Sequence, residues 1–112
     1  MLEVTNELKT LISEKENLIE TLNKQLRELQ KLETENMNAT NKILTETNWG
    51  EIIDGRVTEK AKTAIVEKRL SEKLNEVALL KLDIAETKRD IELVNDKISL
   101  CKLIIREMEI CK

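Results

Sequence analysis

The sequence predicts an all-α fold in which two long helices form an antiparallel coiled-coil hairpin and assemble into a helical-bundle homo-oligomer. Apolar residues recur with a heptad period in both halves of the 112-residue chain, and the pattern breaks only once, between Asn48 and Gly55. Charged residues make up 37% of the chain, aromatic residues 1%, and proline is absent, which is typical of long solvated helices. We expect a single domain with helix 1 at about 2–46, a hinge at 47–57 and helix 2 at about 58–111.

Helix 1 is predicted from twelve positions spaced alternately four and three residues apart, nine of them apolar. These positions are Val4, Leu8, Leu11, Lys15, Leu18, Leu22, Gln25, Leu29, Leu32, Asn36, Ala39 and Ile43. The polar members weaken the seam but fix its register. Beside the seam, Ile12, Ile19 and Leu26 repeat every seven residues and indicate a stripe wide enough to pack against more than one neighbour.

The end of helix 1 is predicted between Leu44 and Trp49, because threonine and asparagine side chains accumulate there and compete for backbone hydrogen bonds. Gly50 is the residue at which a left-handed helix ending is easiest. Trp49, the only aromatic residue of the chain, is expected to plug the open end of the helix pair. Its functional alternative is a stacking platform for a nucleic-acid base.

Two structures fit the segment that follows. Asp54-Gly55 suits the two-residue turn of a short β-hairpin over 51–58, because both residues tolerate the positive backbone angles of such a turn. Otherwise, Asp54 or Thr58 caps helix 2.

Helix 2 carries the same heptad rhythm and, in addition, a second apolar row on a different side. The first row comprises Val66, Leu70, Lys73, Val77, Leu80, Ile84, Thr87, Ile91, Val94, Ile98, Cys101, Ile105 and Met108. The second row comprises Leu79, Leu82, Leu93, Leu100, Leu103 and Ile110, with Glu86, Arg89, Asp96 and Glu107 at its charged positions. Helix 2 is therefore predicted to have two partly apolar faces.

A hairpin folded about Ile52 places residue i opposite roughly residue 104 minus i, if the rise is equal on both sides. Lys15 would then face Lys88 and Arg89, which is unfavourable unless the register differs by a few residues or Lys15 points outward. The first residues of helix 1 would also fall short of the last turns of helix 2, which would leave an apolar tail uncovered. Soluble monomers rarely expose a tail of this kind. We therefore predict a homodimer or tetramer with an interface at Leu79, Leu82, Leu100, Leu103, Ile104, Ile105, Met108 and Ile110, and with Cys111 in the same uncovered tail.

The charge balance argues against duplex DNA as a ligand, because the formal net charge is −3 and neither half of the chain is basic. A local basic patch near the hinge is the exception and could contact single-stranded nucleic acid or nucleotide phosphate. Its candidate residues are Arg56, Lys60, Lys62, Arg69 and Trp49. The alternative is a solvated helix face with neighbouring ion pairs, since acidic residues are interspersed.

No catalytic, metal or cofactor site is predicted. The chain has no histidine, which Ser-His-Asp and Cys-His catalysis require, and its two glycines are too few for a phosphate-binding loop. Glu86 and Asp90 share one helix face but are more simply solvated surface. The two cysteines lie ten residues apart on one helix, about 15 Å along its axis, and cannot pair there. We expect a cytoplasmic non-enzyme without a membrane span or leader.

The second half of the chain resembles small uncharacterised coiled-coil proteins encoded by phages of bacteria. The resemblance lies in the turn Asp54-Gly55, the segment Glu59-Lys60-Ala61-Lys62, and a long helix containing Asp90-Ile91-Glu92-Leu93 and closing with Leu103-Ile104-Ile105-Arg106. It implies a host-cytoplasm setting and a role near phage DNA replication or recombination, or in countering host defence. The helical hairpin is also similar to the prefoldin beta subunit, although the strand sequence at 48–58 is short.

Three functions remain open at this point. The chain could be a homo-oligomeric coiled-coil protein that binds another protein through its helix faces. It could instead bind single-stranded nucleic acid or nucleotides through the basic hinge. The third alternative is an architectural spacer or a prefoldin-like chaperone.

Overall fold

The computed structural model describes residues Leu2–Ile110, which form four α-helices and no β-strand. They are α1 (Leu2–Glu46), α2 (Trp49–Ile52), α3 (Glu59–Arg69) and α4 (Ser71–Ile110). The predicted all-α class and the two long helices are confirmed. Cys111, which we placed in helix 2 and its apolar tail, lies outside the described residues.

The chain groups into two compact units. The first unit combines the residues up to Leu26, in α1, with those from Leu82 onward, in α4. The second unit comprises the residues from Arg27 to Lys81. Each unit contains segments of both long helices.

The core of the first unit is a cluster of buried side chains from both long helices: Leu11 of α1 with Val94, Ile98 and Cys101 of α4. Three partly buried residues of α1 pack against this cluster, namely Val4, Leu8 and Leu18. All these residues are seam positions predicted from the heptad period. Hydrophobic burial along the seam is therefore what holds the two helix segments of this unit together.

In the second unit the same seam supplies the buried residues Val66, Leu70 and Val77. The seam residues that α1 contributes here are all half-buried: Leu29, Leu32, Asn36, Ala39 and Ile43. Lys73 is the exception on the seam, since its side chain is exposed. The heptad pattern thus predicts the buried face correctly at every apolar seam position of this unit.

The predicted continuous helix 2 is divided in the structure. α3 ends at Arg69, and Leu70 has φ −103° and ψ 11°, outside the α-helical region, before α4 begins at Ser71. The hydrogen bonds from Leu70 N to Val66 O and from Leu74 N to Leu70 O remain, so the interruption is a local distortion. It lies three residues before Lys73, an exposed position of the seam.

The hinge contains a short helix and an irregular bend instead of a β-hairpin. α1 ends at Glu46, within the predicted interval, and α2 follows at Trp49–Ile52. Gly50 lies inside α2, so the expectation of a left-handed ending there is wrong, and Gly55 has the positive φ of 96° instead. Asn48 is already extended, and α1 therefore ends without a left-handed residue.

Thr58 is the residue that caps α3, one of the two alternatives left open by the sequence. Its hydroxyl oxygen accepts a hydrogen bond of 3.1 Å from the backbone N–H of Ala61. This bond satisfies one of the free N–H groups in the first turn of the helix. Thr58 therefore fixes where α3 begins.

Among the described residues, no helix is both long enough and apolar enough to span a membrane.

Candidate interaction surfaces

α4 has a buried face in the first unit, which we call the inner seam. It consists of Ile84, Thr87, Ile91, Val94, Ile98 and Cys101, all buried except the half-buried Ile91. Its polar member is satisfied locally, because the Thr87 hydroxyl donates a 3.0 Å hydrogen bond to the carbonyl oxygen of Asp83. The inner seam is therefore occupied by contacts within the chain.

A different face of α4 carries a second row with the same alternating spacing, which we call the outer row. In the first unit it consists of Leu82, Glu86, Arg89, Leu93, Asp96, Leu100, Leu103, Glu107 and Ile110. Its five apolar side chains are between 51% exposed, at Leu103, and 76% exposed, at Ile110. In the second unit Leu79, the remaining apolar residue predicted for this row, is also exposed.

The four charged members of the outer row, Glu86, Arg89, Asp96 and Glu107, are exposed as well. None of them forms an ion pair with another described residue. A shallow depression lined by Ser99, Lys102, Leu103 and Arg106 lies beside the row. The outer row thus offers leucine side chains and unpaired charges on one helix face.

The end of α4 is less exposed than the simple hairpin estimate predicts. Ile104 and Ile105, expected beyond the reach of helix 1, are half-buried, whereas Met108 is 39% exposed and Ile110 is largely exposed. The estimate places Leu11 opposite residue 93, but Leu11 belongs to a cluster centred nearer Ile98. Helix 1 therefore reaches further along α4 than equal rise about Ile52 allows.

α1 has its own partly exposed row in the first unit, at Ile12, Ile19 and Leu26. These side chains are 39 to 41% exposed, whereas the neighbouring seam residue Leu11 is 6% exposed. The predicted widening of the apolar stripe is present, and no described residue covers it fully. It is narrower and less exposed than the outer row of α4.

The second unit holds the five basic and aromatic candidates of the hinge, and contacts with their own chain engage three of them. The Trp49 indole N–H donates a 3.2 Å hydrogen bond to the carbonyl oxygen of Leu44, and the Lys62 ammonium lies 5.7 Å from the centre of the Trp49 ring. Lys62 also lies 3.8 Å from the Glu59 carboxylate. Trp49 is half-buried, so its ring serves this local packing.

The remaining basic residues of the hinge differ in their contacts. Arg69 donates a 3.4 Å hydrogen bond from Nη1 to the hydroxyl of Thr47, while Arg56 and Lys60 are exposed. The hydrogen bond and the ring contact join residues of α3 to the segment after α1. These contacts give Arg69, Lys62 and Trp49 structural roles within the second unit.

The described residues include no group of three or more His, Cys, Asp or Glu side chains arranged to hold a metal ion. Glu86 and Asp90, the carboxylate pair singled out in the sequence, are both exposed. Cys101 is a buried free thiol in the core of the first unit. Its role there is that of a small hydrophobic side chain.

The sequence predicts Gln25 as a polar residue of the seam. It does not show that part of this side chain lacks a hydrogen-bond partner. Its side-chain oxygen Oε1 is buried and has no hydrogen-bond partner among the described residues. A buried polar atom without a partner costs free energy relative to its hydrated state. A glutamine at a seam position indicates a buried polar group. Only the packed structure shows which of its atoms has no partner among the described residues.

No protein-family model, curated protein or solved structure gives a significant match to this chain.

Proposed function

We propose that this chain is a non-enzymatic, homo-oligomeric coiled-coil protein that acts through protein–protein contacts. The observation that carries the proposal is the outer row of α4. A helix face with leucines at heptad spacing, each more than half exposed, is the kind of surface that helices use to recognise one another.

The proposal includes an antiparallel hairpin as the protomer. The core of the first unit supports this arrangement, since Leu11 near the start of α1 packs with Ile98 and Cys101 near the end of α4. The inner seam is buried by this packing. The outer row and the partly exposed row of α1 remain available for contacts with other molecules.

Burial of the outer row provides the driving force for assembly. Covering five apolar side chains contributes on the order of 10 kcal/mol before the costs of association, at roughly 1.5 to 3 kcal/mol each. Soluble monomers rarely expose large contiguous apolar patches, and the adjacent row members Leu100 and Leu103 are both more than half exposed. A second copy of the chain carries the same strip and is always present at equal concentration.

The resemblance to phage coiled-coil proteins adds a cellular setting and a biological role to the proposal. In this view the assembled protein acts in the cytoplasm of a bacterial host, as an accessory protein of the phage or as a protein that counters host defence. The oligomer would present its remaining helix faces to a protein of the host or of the phage.

Sedimentation equilibrium at micromolar concentration tests the assembly. We expect a mass of two or four times the 13.0 kDa chain. A triple variant of the outer row, Leu93→Gln, Leu100→Gln and Leu103→Gln, should sediment as a monomer while circular dichroism shows that its helices persist. A monomeric wild-type protein would contradict the proposal.

The matched control changes three exposed residues on another side of α4: Lys81→Gln, Lys88→Gln and Glu109→Gln. It should keep the wild-type mass, because these positions do not belong to the outer row. Loss of assembly in this control as well would mean that helix stability, and not the apolar row, sets the mass.

A further inference from the structure

The charges of the outer row discriminate between the two ways in which a second copy could dock on it. In a parallel, in-register pair each outer-row residue faces its own counterpart. Glu86, Arg89, Asp96 and Glu107 would then each meet a like charge, at four of the nine positions of the row. Like charges at facing positions destabilise a helix pair.

An antiparallel pair brings different residues together. When the two-fold axis passes level with Ile98, residues equidistant from that level on the two copies face one another. The facing pairs are Glu107 with Arg89, Leu93 with Leu103, Leu100 with Asp96, and Glu86 with Ile110, each formed twice. Two ion pairs and two leucine pairs therefore form along the row.

The residues that flank the row support the same register. Glu92 of one copy lies beside Arg106 of the other, again twice, and both residues are exposed in the protomer. Lys97 approaches its own counterpart next to the axis and is the one like-charge contact of this arrangement. Its flexible stem allows the ammonium to turn towards solvent.

Every other antiparallel register in which at least six of the nine row residues face one another is less favourable. Moving the axis by three and a half residues towards the N-terminus leaves each of the four charged residues opposite an apolar one. A second step of the same size places Glu86 opposite Asp96. Moving the axis towards the C-terminus instead places Glu107 opposite Asp96.

We propose that a second copy of this chain docks antiparallel on the outer row of α4, with the two-fold axis level with Ile98 and with Glu107 paired to Arg89 of the other copy. This inference rests on the proposed self-assembly and adds the surface, the orientation and the register. Charge complementarity favours this occupant, because a two-fold pair of rows brings Glu107 opposite Arg89 only when one row is reversed.

A charge-swap series tests the pairing. In the full-length protein, Arg89→Glu and Glu107→Arg should each raise the dissociation constant of the dimer about tenfold, because each variant places like charges together at two symmetric sites. The double variant restores opposite charges and should return to near the wild-type constant. In a parallel pair residues 89 and 107 never meet, so absence of rescue in the double variant would overturn the antiparallel register.

Spin-label distances test the orientation without relying on altered affinity. Single cysteines are introduced at Ser99 or Asp83, both exposed, in a background with Cys101→Val and Cys111→Ser. Labels at Ser99 should lie at about the spacing of neighbouring helices, 8 to 10 Å between axes. Labels at Asp83 should be separated by about 45 Å along the axis, at 1.5 Å per residue. Circular dichroism and sedimentation of the labelled proteins verify that they fold and assemble.

The outcomes separate the two proposals. A short distance at Ser99 with a long one at Asp83 supports the antiparallel pair, and short distances at both sites overturn it in favour of a parallel one. Long distances at both sites in a protein that still sediments as a dimer place the interface elsewhere, which overturns this inference and leaves self-assembly intact. A monomer mass overturns both.

Discussion

The two faces of α4 in the first unit share a heptad period and differ in what covers them. The inner seam is packed against α1 and has one buried polar side chain, Thr87, which is satisfied by the backbone of its own helix. The outer row is exposed and has charges at four of its nine positions. The same period therefore marks one buried face and one exposed face, and only the packed structure shows which of them α1 covers.

Adjacent residues on the two faces of α4 test whether these faces differ in their contribution to stability. Val94→Asp places a carboxylate in the core of the first unit and should cost at least about 4 kcal/mol in unfolding free energy, because an unpaired buried charge has no compensation. Leu93→Asp adds the same carboxylate on the outer row, where the side chain is already 53% exposed. It should leave helix content unchanged and weaken only self-association.

Urea unfolding followed by circular dichroism measures the first effect and sedimentation the second. The experiment is done at a protein concentration at which the Leu93→Asp variant is monomeric. If Leu93→Asp unfolds the monomer as fully as Val94→Asp, the two faces are not energetically distinct and the comparison fails.

A pair of α1 residues repeats the comparison with a smaller change. Leu11→Ala removes a buried side chain from the first-unit core and should cost about 2 to 4 kcal/mol, as large-to-small core substitutions do. Ile12→Ala removes a side chain that is 40% exposed and should cost less than about 1 kcal/mol in the monomer. Equal losses in urea unfolding would show that the α1 row is packed as tightly as the seam.

Much of this fold could be predicted because burial follows the period of the helix. Every seam position predicted in α1, from Val4 to Ile43, is buried or half-buried, including the polar Lys15 and Asn36. The rows beside the seams, such as Ile12 and Leu100, are exposed. The physical reason is that residues three and four apart share one helix face, whatever their individual chemistry.

What could not be predicted depends on small differences between backbone conformations. The break at Leu70 involves a single residue and does not change the heptad count that identifies the helices. The short helix α2 in the hinge and the membership of Leu11 and Ile98 in one core cluster are likewise visible only in the structure. The candidate site shows the same limit. Its leucines are predicted by their spacing, whereas the half-buried state of Ile104 and Ile105 is evident only in the packed structure.

Gln25→Leu tests the contribution of a polar seam residue. Unlike the preceding substitutions, it should stabilise the protein. The buried Oε1 atom has no partner among the described residues, and replacing it with a methyl group removes an uncompensated desolvation cost of roughly 1 to 3 kcal/mol. We expect a higher urea midpoint for the variant. Gln25→Glu, which adds a charge at the same place, is the control and should lower it. A lower midpoint for leucine would mean that the amide is satisfied by water.

The smallest expected effect concerns the cap that sets the start of α3. Thr58→Ala removes the hydroxyl that accepts from the Ala61 N–H and should cost about 1 kcal/mol, whereas Thr58→Ser retains the acceptor and should cost less. Thr63→Ala is the matched control, since its hydroxyl bonds to the Glu59 carbonyl inside the helix and caps nothing. Hydrogen exchange should show the loss of protection in the first turn of α3 for Thr58→Ala alone. If protection is lost equally at Val66 and Leu70, the cap also supports the buried seam of the second unit, and its effect is not confined to the start of α3.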